Sequence, residues 1–297
     1  MAVTKSHLRH ILELNFAVIL ISTSGTFGRY IDLSPFLIIL FRALLAGTIL
    51  YLYCRFRNFR LKIANKKDAL KVLLGGCLMC IHWVTYFFSL KLSSVAIGML
   101  SIYTYPVITT FLEPLILKTR FSKMHLGLAV LVLCGIYFLV PEFSFENEQT
   151  VAVAFCVTSA FFYSLRNILM KQEVEKYNGS VLMMYQMLII GVLLLPVFFI
   201  FDLSEVPSQL LPLFLLALVT TSMGHTLLLS SFRNFSVTTA SLISSAQPVY
   251  GILLGLVILG EYPAVNTLIG GALIICAVLV EISRSMRGSP VHATPPR

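Results

Sequence analysis

Charge is scarce in this chain. Of its 297 residues only 12% are Asp, Glu, Lys or Arg, where a soluble domain carries about 25%. With 58% hydrophobic residues, that shortfall excludes an ordinary water-soluble globule. Acid is scarcer than base, at 13 Asp and Glu against 22 Lys and Arg, and no carboxylate falls in the middle of an apolar run. An intramembrane hydrolase built on two Asp, or on a Ser–His pair oriented by a carboxylate, therefore lacks its parts. The same absence argues against a carrier driven by a mid-membrane acid and favours facilitated diffusion or exchange, with coupling through a histidine left open. Cysteine is sparse too, with six residues in or beside apolar runs. Cys77 and Cys80 form a CxxC, but no second pair or His cluster completes a metal site. No metal and no cofactor are expected.

What the chain has is long apolar runs. Ten can be read, at about 11–29, 35–54, 69–90, 95–117, 124–140, 150–170, 180–201, 209–231, 236–259 and 264–283. A helix needs roughly 20 apolar residues to cross about 30 Å of hydrocarbon, so these read as transmembrane helices. The first run continues past position 27 without a clean cleavage site and is expected to be retained. The net charge of +9 does not point to nucleic acid, because the bases sit in short gaps between runs. With the N-terminus placed inside, nineteen Lys and Arg fall on the inner side, Arg166 among them, and only Arg29 and Lys91 on the outer side. The expected protein is multi-pass in the cell inner membrane, with both termini cytoplasmic.

The chain repeats itself. SLKLSSVAIGMLSIYTYPV (89–107) aligns with SFRNFSVTTASLISSAQPV (231–249), bringing Lys91 onto Arg233, Ser94 onto Ser236 and Pro106 onto Pro248 at an offset of 142. FLIILFRALLAGTIL (36–50) aligns with SVLMMYQMLIIGVLL (180–194) at an offset of 144, bringing Arg42 onto Gln186. Five runs per half is odd, so the second half enters the membrane from the opposite side. Such inverted repeats underlie alternating access about a mid-membrane site. The expected fold is all-α, with ten transmembrane helices in two inverted five-helix repeats around a central cavity. The boundaries are 1–145 and 146–285, followed by a disordered cytoplasmic tail at 286–297.

The remaining base, Arg42, lies about eight residues into the second run, some 12 Å deep at ~1.5 Å per residue. Facing lipid there would cost at least ~2.5–3.5 kcal/mol. It should face the bundle interior, and no Asp or Glu sits at its depth. Two readings stand: it bonds helix-end carbonyls and pins an outer gate, or it meets a substrate carboxylate. Around it, candidate substrate-binding residues are Ser22 and Ser24 in run one, His82, Trp83 and Tyr86 in run three, and Tyr103 in run four. Tyr163 in run six, His225 in run eight, and Ser244 and Gln247 in run nine complete the set. Thr158 and Ser159 in run six are also expected to face inward. Apolar walls with a few placed polar groups suit a small amphipathic solute. Each has a plainer alternative: hydroxyls bonding their own helix, Trp83 in an interfacial belt, and histidines merely buried and hydrogen-bonded. Pro106 and Pro248 are expected to kink runs four and nine and serve gating.

Three stretches together resemble the EamA-type drug/metabolite transporter superfamily: LSPFLIILFRALLAG, with its second-span Arg; YFFSLKLSSVAIGMLSIYTYPV, an aromatic-to-Pro hairpin; and PVYGILLGLVILGEYPAVNTLIGGALIICAVLV, with Gly260–Glu261 and a Gly-rich last span. The similarity covers roughly 10–285. The first span has SerGlyThrPheGly (24–28) where the family has Trp–Gly, and LysThrArg (118–120) stands at the first-half place of Gly–Glu. The resemblance implies a permease for small organic solutes, amino acids or related metabolites, working by alternating access, and export is the expected direction. It implies neither an enzyme nor a metal. The expected partners are a small-molecule solute and the lipid bilayer, with no nucleic acid, in a monomeric carrier. A carrier for nucleotide- or sugar-like solutes and a non-transporting receptor or scaffold are the alternatives.

Overall fold

The computed structural model describes residues 5–117, 124–139, 144–235, 237, 240 and 243–288. Lys118, Arg120, Lys123, Ser236 and positions 289–297 lie outside the described residues. The described chain is helical, with no strand among its residues. The helices are α1 (Lys5–Tyr30), α2 (Pro35–Phe56), α3 (Lys66–Leu92), α4 (Val95–Ile102), α5 (Tyr105–Leu117), α6 (Met124–Leu139), α7 (Glu148–Val174) and α8 (Gly179–Leu193). A short α9 (Val197–Ile200) follows, then α10 (Leu210–Leu215), α11 (Thr226–Ser231), α12 (Gln247–Leu254) and α13 (Val265–Gly288). A π-helical stretch, Leu216–His225, joins α10 to α11. Among the described residues seven helical stretches are long and apolar enough to cross a membrane, counting α4 with α5, α8 with α9, and α10 through α11 as one each; three shorter apolar ones accompany them, Gly127–Leu139, Gln247–Leu259 and Val265–Val280.

Local chemistry sets where the helices start. Asn65 accepts from Asp68 N (2.9 Å) at the start of α3, and Ser94 from Ile97 N (3.3 Å) at the start of α4. Asn147 and Asn178 cap α7 and α8 in the same way. The fourth apolar run is broken, not merely bent. Tyr103 and Thr104 turn through i−3 hydrogen bonds, and α5 resumes with Pro106 as its second residue. Pro106 has no N–H for the Ile102 carbonyl, which explains a break one turn ahead of it. Pro248 likewise stands in the first turn of α12, directly after a 3-10 turn at Ser244–Ala246.

Helices from the two halves of the chain pair along their lengths. α3 packs on α7, α2 on α8, α6 on α13, α4 on α12, and α1 on the π-helical stretch. The last contact is close: a Cβ on Gly224 would sit 2.9 Å from Ile21 Cγ1 and 3.2 Å from Ile21 N. Because backbone blocks one side, Gly224→Val should misassemble the carrier. Its expected sign is loss of a monodisperse peak in size-exclusion chromatography, whereas Gly127→Ala, with nothing within 4 Å, should elute unchanged.

At the start of α3 a compact polar cluster ties three segments. Lys71 Nζ meets Glu173 Oε1 at 3.0 Å, Lys176 Nζ meets Asp68 Oδ1 at 2.8 Å, and Tyr177 Oη donates to Asp68 Oδ2 at 2.7 Å. The hydrogen bond to Asp68 holds the Lys176 ammonium above its ordinary value of 10.5, and the same carboxylate raises Tyr177. A pKa raised on folding adds stability that is complete below about pH 10.5 and fades as pH rises through the folded value. Asp68→Asn should therefore lower the melting temperature at pH 7, and its gap from the parent should narrow above about pH 10.5. Thermal scans against pH would read this directly.

Candidate functional site

α1, α3, α4, α5, α7, α12 and the π-helical stretch converge on one interior chamber. Its lining includes Ser24, His82, Trp83, Tyr86, Tyr103, Tyr163, His225 and Gln247, together with Ile102 and Tyr105. Eight of the eleven residues singled out from the sequence thus share one wall. The free space is about 20 Å³, room for about one water and far below the ~300–1,000 Å³ of a ligand pocket. In this conformation the chamber is contracted around its own rings.

Those rings form a continuous set. His82 stacks on Tyr163 with centroids 4.3 Å apart and on Tyr86 at 6.2 Å, and Tyr105 meets both Tyr163 (5.0 Å) and Tyr103 (5.5 Å) edge-on. Ser159 fixes the His82 tautomer. Its hydroxyl donates to the His82 carbonyl at 2.7 Å, so the 2.7 Å contact with His82 Nδ1 needs the proton on Nδ1. In the neutral ring Nε2 is then left as an acceptor. Tyr103 Oη donates to the Ser244 carbonyl and lies 3.4 Å from Gln247 Oε1. Pro248 offers Ser244 O no N–H; Gln247 N reaches it in the 3-10 turn, and Tyr103 takes the second lone pair.

Arg42 lies behind this wall and not in it. Its side chain is 0% exposed and turned into the bundle. Nε donates to Thr221 Oγ1 at 2.6 Å, and the guanidinium carbon sits 3.7 Å over the Trp83 ring and 5.6 Å from Phe87. Thr221 can accept because its own hydroxyl donates to Leu216 O, five residues back, within the π-helical stretch (3.3 Å). A planar, weakly hydrated guanidinium suits a stack on indole. Trp83, 1% exposed, is therefore a packed partner of Arg42 and not an interfacial belt residue. His225 meets the same indole edge-on at 5.4 Å. Arg42 Nη1 and Nη2, Trp83 Nε1 and His225 Nδ1 have no hydrogen-bond partner. Buried polar atoms left so cost about 1–3 kcal/mol each.

The two other serines serve helix contacts. Ser22 donates to Val18 O at 2.7 Å and approaches Gln247 O at 3.3 Å, and Ser244 donates to Ala240 O. Thr158 faces outward and bonds Ala154 O, so the inward expectation for it fails; it sits one residue from the face that carries Ser159. Arg166 also departs from its expected place on the inner side. It is fully buried in α7, with Nε on Gln186 Oε1 (2.8 Å), Nη1 on Asn167 Oδ1 (3.0 Å) and Nη2 near Met183 Sδ (3.6 Å). The signal available was its position four residues before the end of an apolar run, where a charge count alone sees only a base near a loop. Its acceptor Gln186 is the residue that aligns with Arg42.

Comparison with known proteins adds the family. The EamA-like transporter family model matches twice, over 10–140 and 150–282. An uncharacterized transporter of Helicobacter pylori is 24% identical over 83% of this chain and 85% of its own length. An uncharacterized inner membrane transporter of Salmonella typhimurium, YicL, is 24% identical over 91% and 93%. The pseudopaline exporter CntI of Pseudomonas aeruginosa is 22% identical over 84% and 87%. A crystal structure superposes with a TM-score of 0.69 over 95% of this chain and 99% of its own, at 19% identity, which bears on the fold alone. With two copies of the family domain and a bundle of apolar helices, the chain belongs to the EamA-like transporter family and is a multi-pass membrane transporter of small solutes.

Proposed function

We propose that the chain is a ten-span permease of the inner membrane that exports amino acids or related small metabolites. The two halves are inverted five-helix repeats that rock about the ring-lined chamber, and both termini are cytoplasmic. The observation that carries this reading is the chamber itself. It is built from both halves and walled by aromatic rings, with a histidine acceptor, Gln247 and Tyr103 on one side and unpartnered Arg42 donors behind Trp83. Apolar rings suit a side chain, and the polar groups suit a zwitterion.

The inversion is supported by pairing and by direction. If spans one to five correspond to six to ten, exchanging the halves maps the α1 contact with the π-helical stretch onto the α3–α7 contact. It maps α2–α8, α4–α12 and α6–α13 onto themselves. α1 ends beside the end of α3, through Lys91 and Ile31, whereas α7 ends beside the start of α3, through Glu173 and Lys71. The two corresponding helices therefore run in opposite directions. Export and membrane agree with the names of the pseudomonad exporter and the Salmonella inner membrane protein. Uncoupled movement fits Glu13, which is ion-paired with Arg9 at 2.8 Å near the start of α1 and far from the chamber. Arg166 adds no free cation for a polyanion, since its donors are engaged, so nucleotide- or sugar-like cargo stays the lesser reading.

A thermal-shift screen of amino acids and metabolites on purified protein, followed by counterflow in proteoliposomes, tests the assignment. At least one amino acid or close relative should stabilise the protein and exchange. Stabilisation without exchange would instead support a receptor.

A further inference from the structure

Two bases that align in the repeat do the same thing at opposite ends of the bundle. Lys91, at the end of α3, donates its ammonium to the carbonyl of Ile31, just past the end of α1. Arg233, just past the end of α11, donates Nε to the carbonyl of Val174, the last residue of α7, at 2.6 Å, and Nη2 to Tyr177 O at 2.9 Å. The donors are 142 residues apart and the acceptors 143. A second pair crosses each of these. Arg29 Nη1 donates to Lys91 O at 3.2 Å, and Lys171 Nζ donates to Phe232 O at 2.6 Å, with donors again 142 apart and acceptors 141. One set lies at the end of α3 and the other beside its start, where Lys71 meets Glu173. The 27 residues of α3 separate them by about 40 Å at ~1.5 Å per residue.

The two ends use different acids. At the Lys91 end, Gly260 takes φ +66, a conformation that glycine adopts freely, and turns the chain so that Glu261 points back into the bundle. Glu261 then accepts from Arg29 Nε at 3.0 Å and from Val95 N at 2.8 Å. This bolts the end of α1 to the start of α4. At the other end Lys171 bonds Glu175 of its own chain segment (2.9 Å), and the repeat-equivalent stretch reads Lys118–Thr119–Arg120, with no acid.

We infer that Lys91 and Arg233 are the paired gate cations of the transport cycle, each sealing one end of the chamber by capping the final carbonyls of α1 or α7. Both seals are engaged here, and the contracted chamber between them is the occluded state. Each opening breaks one set while the other holds. Glu261 adds a charge-assisted tie at the Lys91 end, and Lys71–Glu173 and Lys176–Asp68 add theirs at the Arg233 end. These residues position helices and do not touch the solute.

The inference rests on the alternating-access reading, and its test needs no knowledge of the cargo. The reporter is Ile102→Cys, a chamber-lining position, in a background with the six native cysteines replaced. A membrane-impermeant maleimide is added to intact cells or to inside-out vesicles. Lys91→Ala should raise labelling from one side only, and Arg233→Ala from the opposite side only. Each should change about tenfold, the shift expected from losing one charge-assisted hydrogen bond. Lys91→Arg and Arg233→Lys should label like the parent. Glu261→Gln should act from the same side as Lys91→Ala and guards against a Lys91 variant that fails to fold. Increases from the same side for both cations, or no increase in monodisperse protein, would overturn the assignment. Failure of every solute to exchange would count against the proposed cargo and leave this result intact.

Discussion

Arg42→Lys should cut solute exchange at least tenfold while leaving the protein folded. The substitution keeps the charge and removes the fork. Lysine cannot stack flat on Trp83 at 3.7 Å while bonding Thr221 at 2.6 Å, nor aim donors from two further nitrogens in one plane. A tenfold loss corresponds to about 1.4 kcal/mol, within the range of a single charge-assisted hydrogen bond. Arg42→Ala should do more. It empties a fully buried volume between α2, α3 and the π-helical stretch, strands Thr221, and frees the indole to move. Initial counterflow rates in proteoliposomes, normalised to monodisperse protein, measure both. Unchanged exchange in Arg42→Lys would reduce this residue to a structural strut, as the first of its two readings had it.

Trp83→Ala should be among the most destabilising single changes, at about 3–5 kcal/mol for removing a buried indole. The side chain is 1% exposed and contacts both Arg42, over its face, and His225, edge-on. Its loss leaves a guanidinium with one hydrogen bond and only the more distant Phe87 ring, at 5.6 Å, in the bundle interior. Trp83→Phe keeps a smaller face and should lose roughly half as much. Thermal unfolding followed by static light scattering would rank parent, Phe and Ala in that order. Equal melting temperatures would mean the stack contributes little.

Much of the architecture could be read directly from apolar period and length. Run length marked the helices, whereas the Asn and Ser caps that start several of them emerged only with the structure. The residues on the chamber wall were legible because a ring or imidazole inside an apolar run is expensive without a partner. That logic found His82, Tyr163 and His225 from positions far apart in the chain. It was less reliable where a residue sat close to a run's end. Arg166 looked like an inner-loop base, yet α7 carries on to Val174 and buries it. It failed for hydroxyls, since nothing in sequence separates Thr158, which faces out, from Ser159, which sets a histidine tautomer. The π-helical stretch at Leu216–His225 was not legible either. Its i−5 hydroxyl bonds arise from packing against α1 at Gly224, and they orient Thr221 toward Arg42. Lys91 and Arg233 could be aligned but not assigned a role, because their acceptors are backbone carbonyls that every residue supplies equally.

The account depends most on solute passing through the ring-lined chamber. Ser24 lies on its wall, 4% exposed, and leucine there would fill space that totals about 20 Å³ even before closure around a solute. The overpacking should cost only about 1–3 kcal/mol, so Ser24→Leu should still fold. Counterflow of a solute carried by the parent protein, measured side by side in proteoliposomes of parent and Ser24→Leu, is the direct comparison. The account predicts exchange in the parent and none above protein-free liposomes in the variant; equal exchange in both would put the path elsewhere and contradict it.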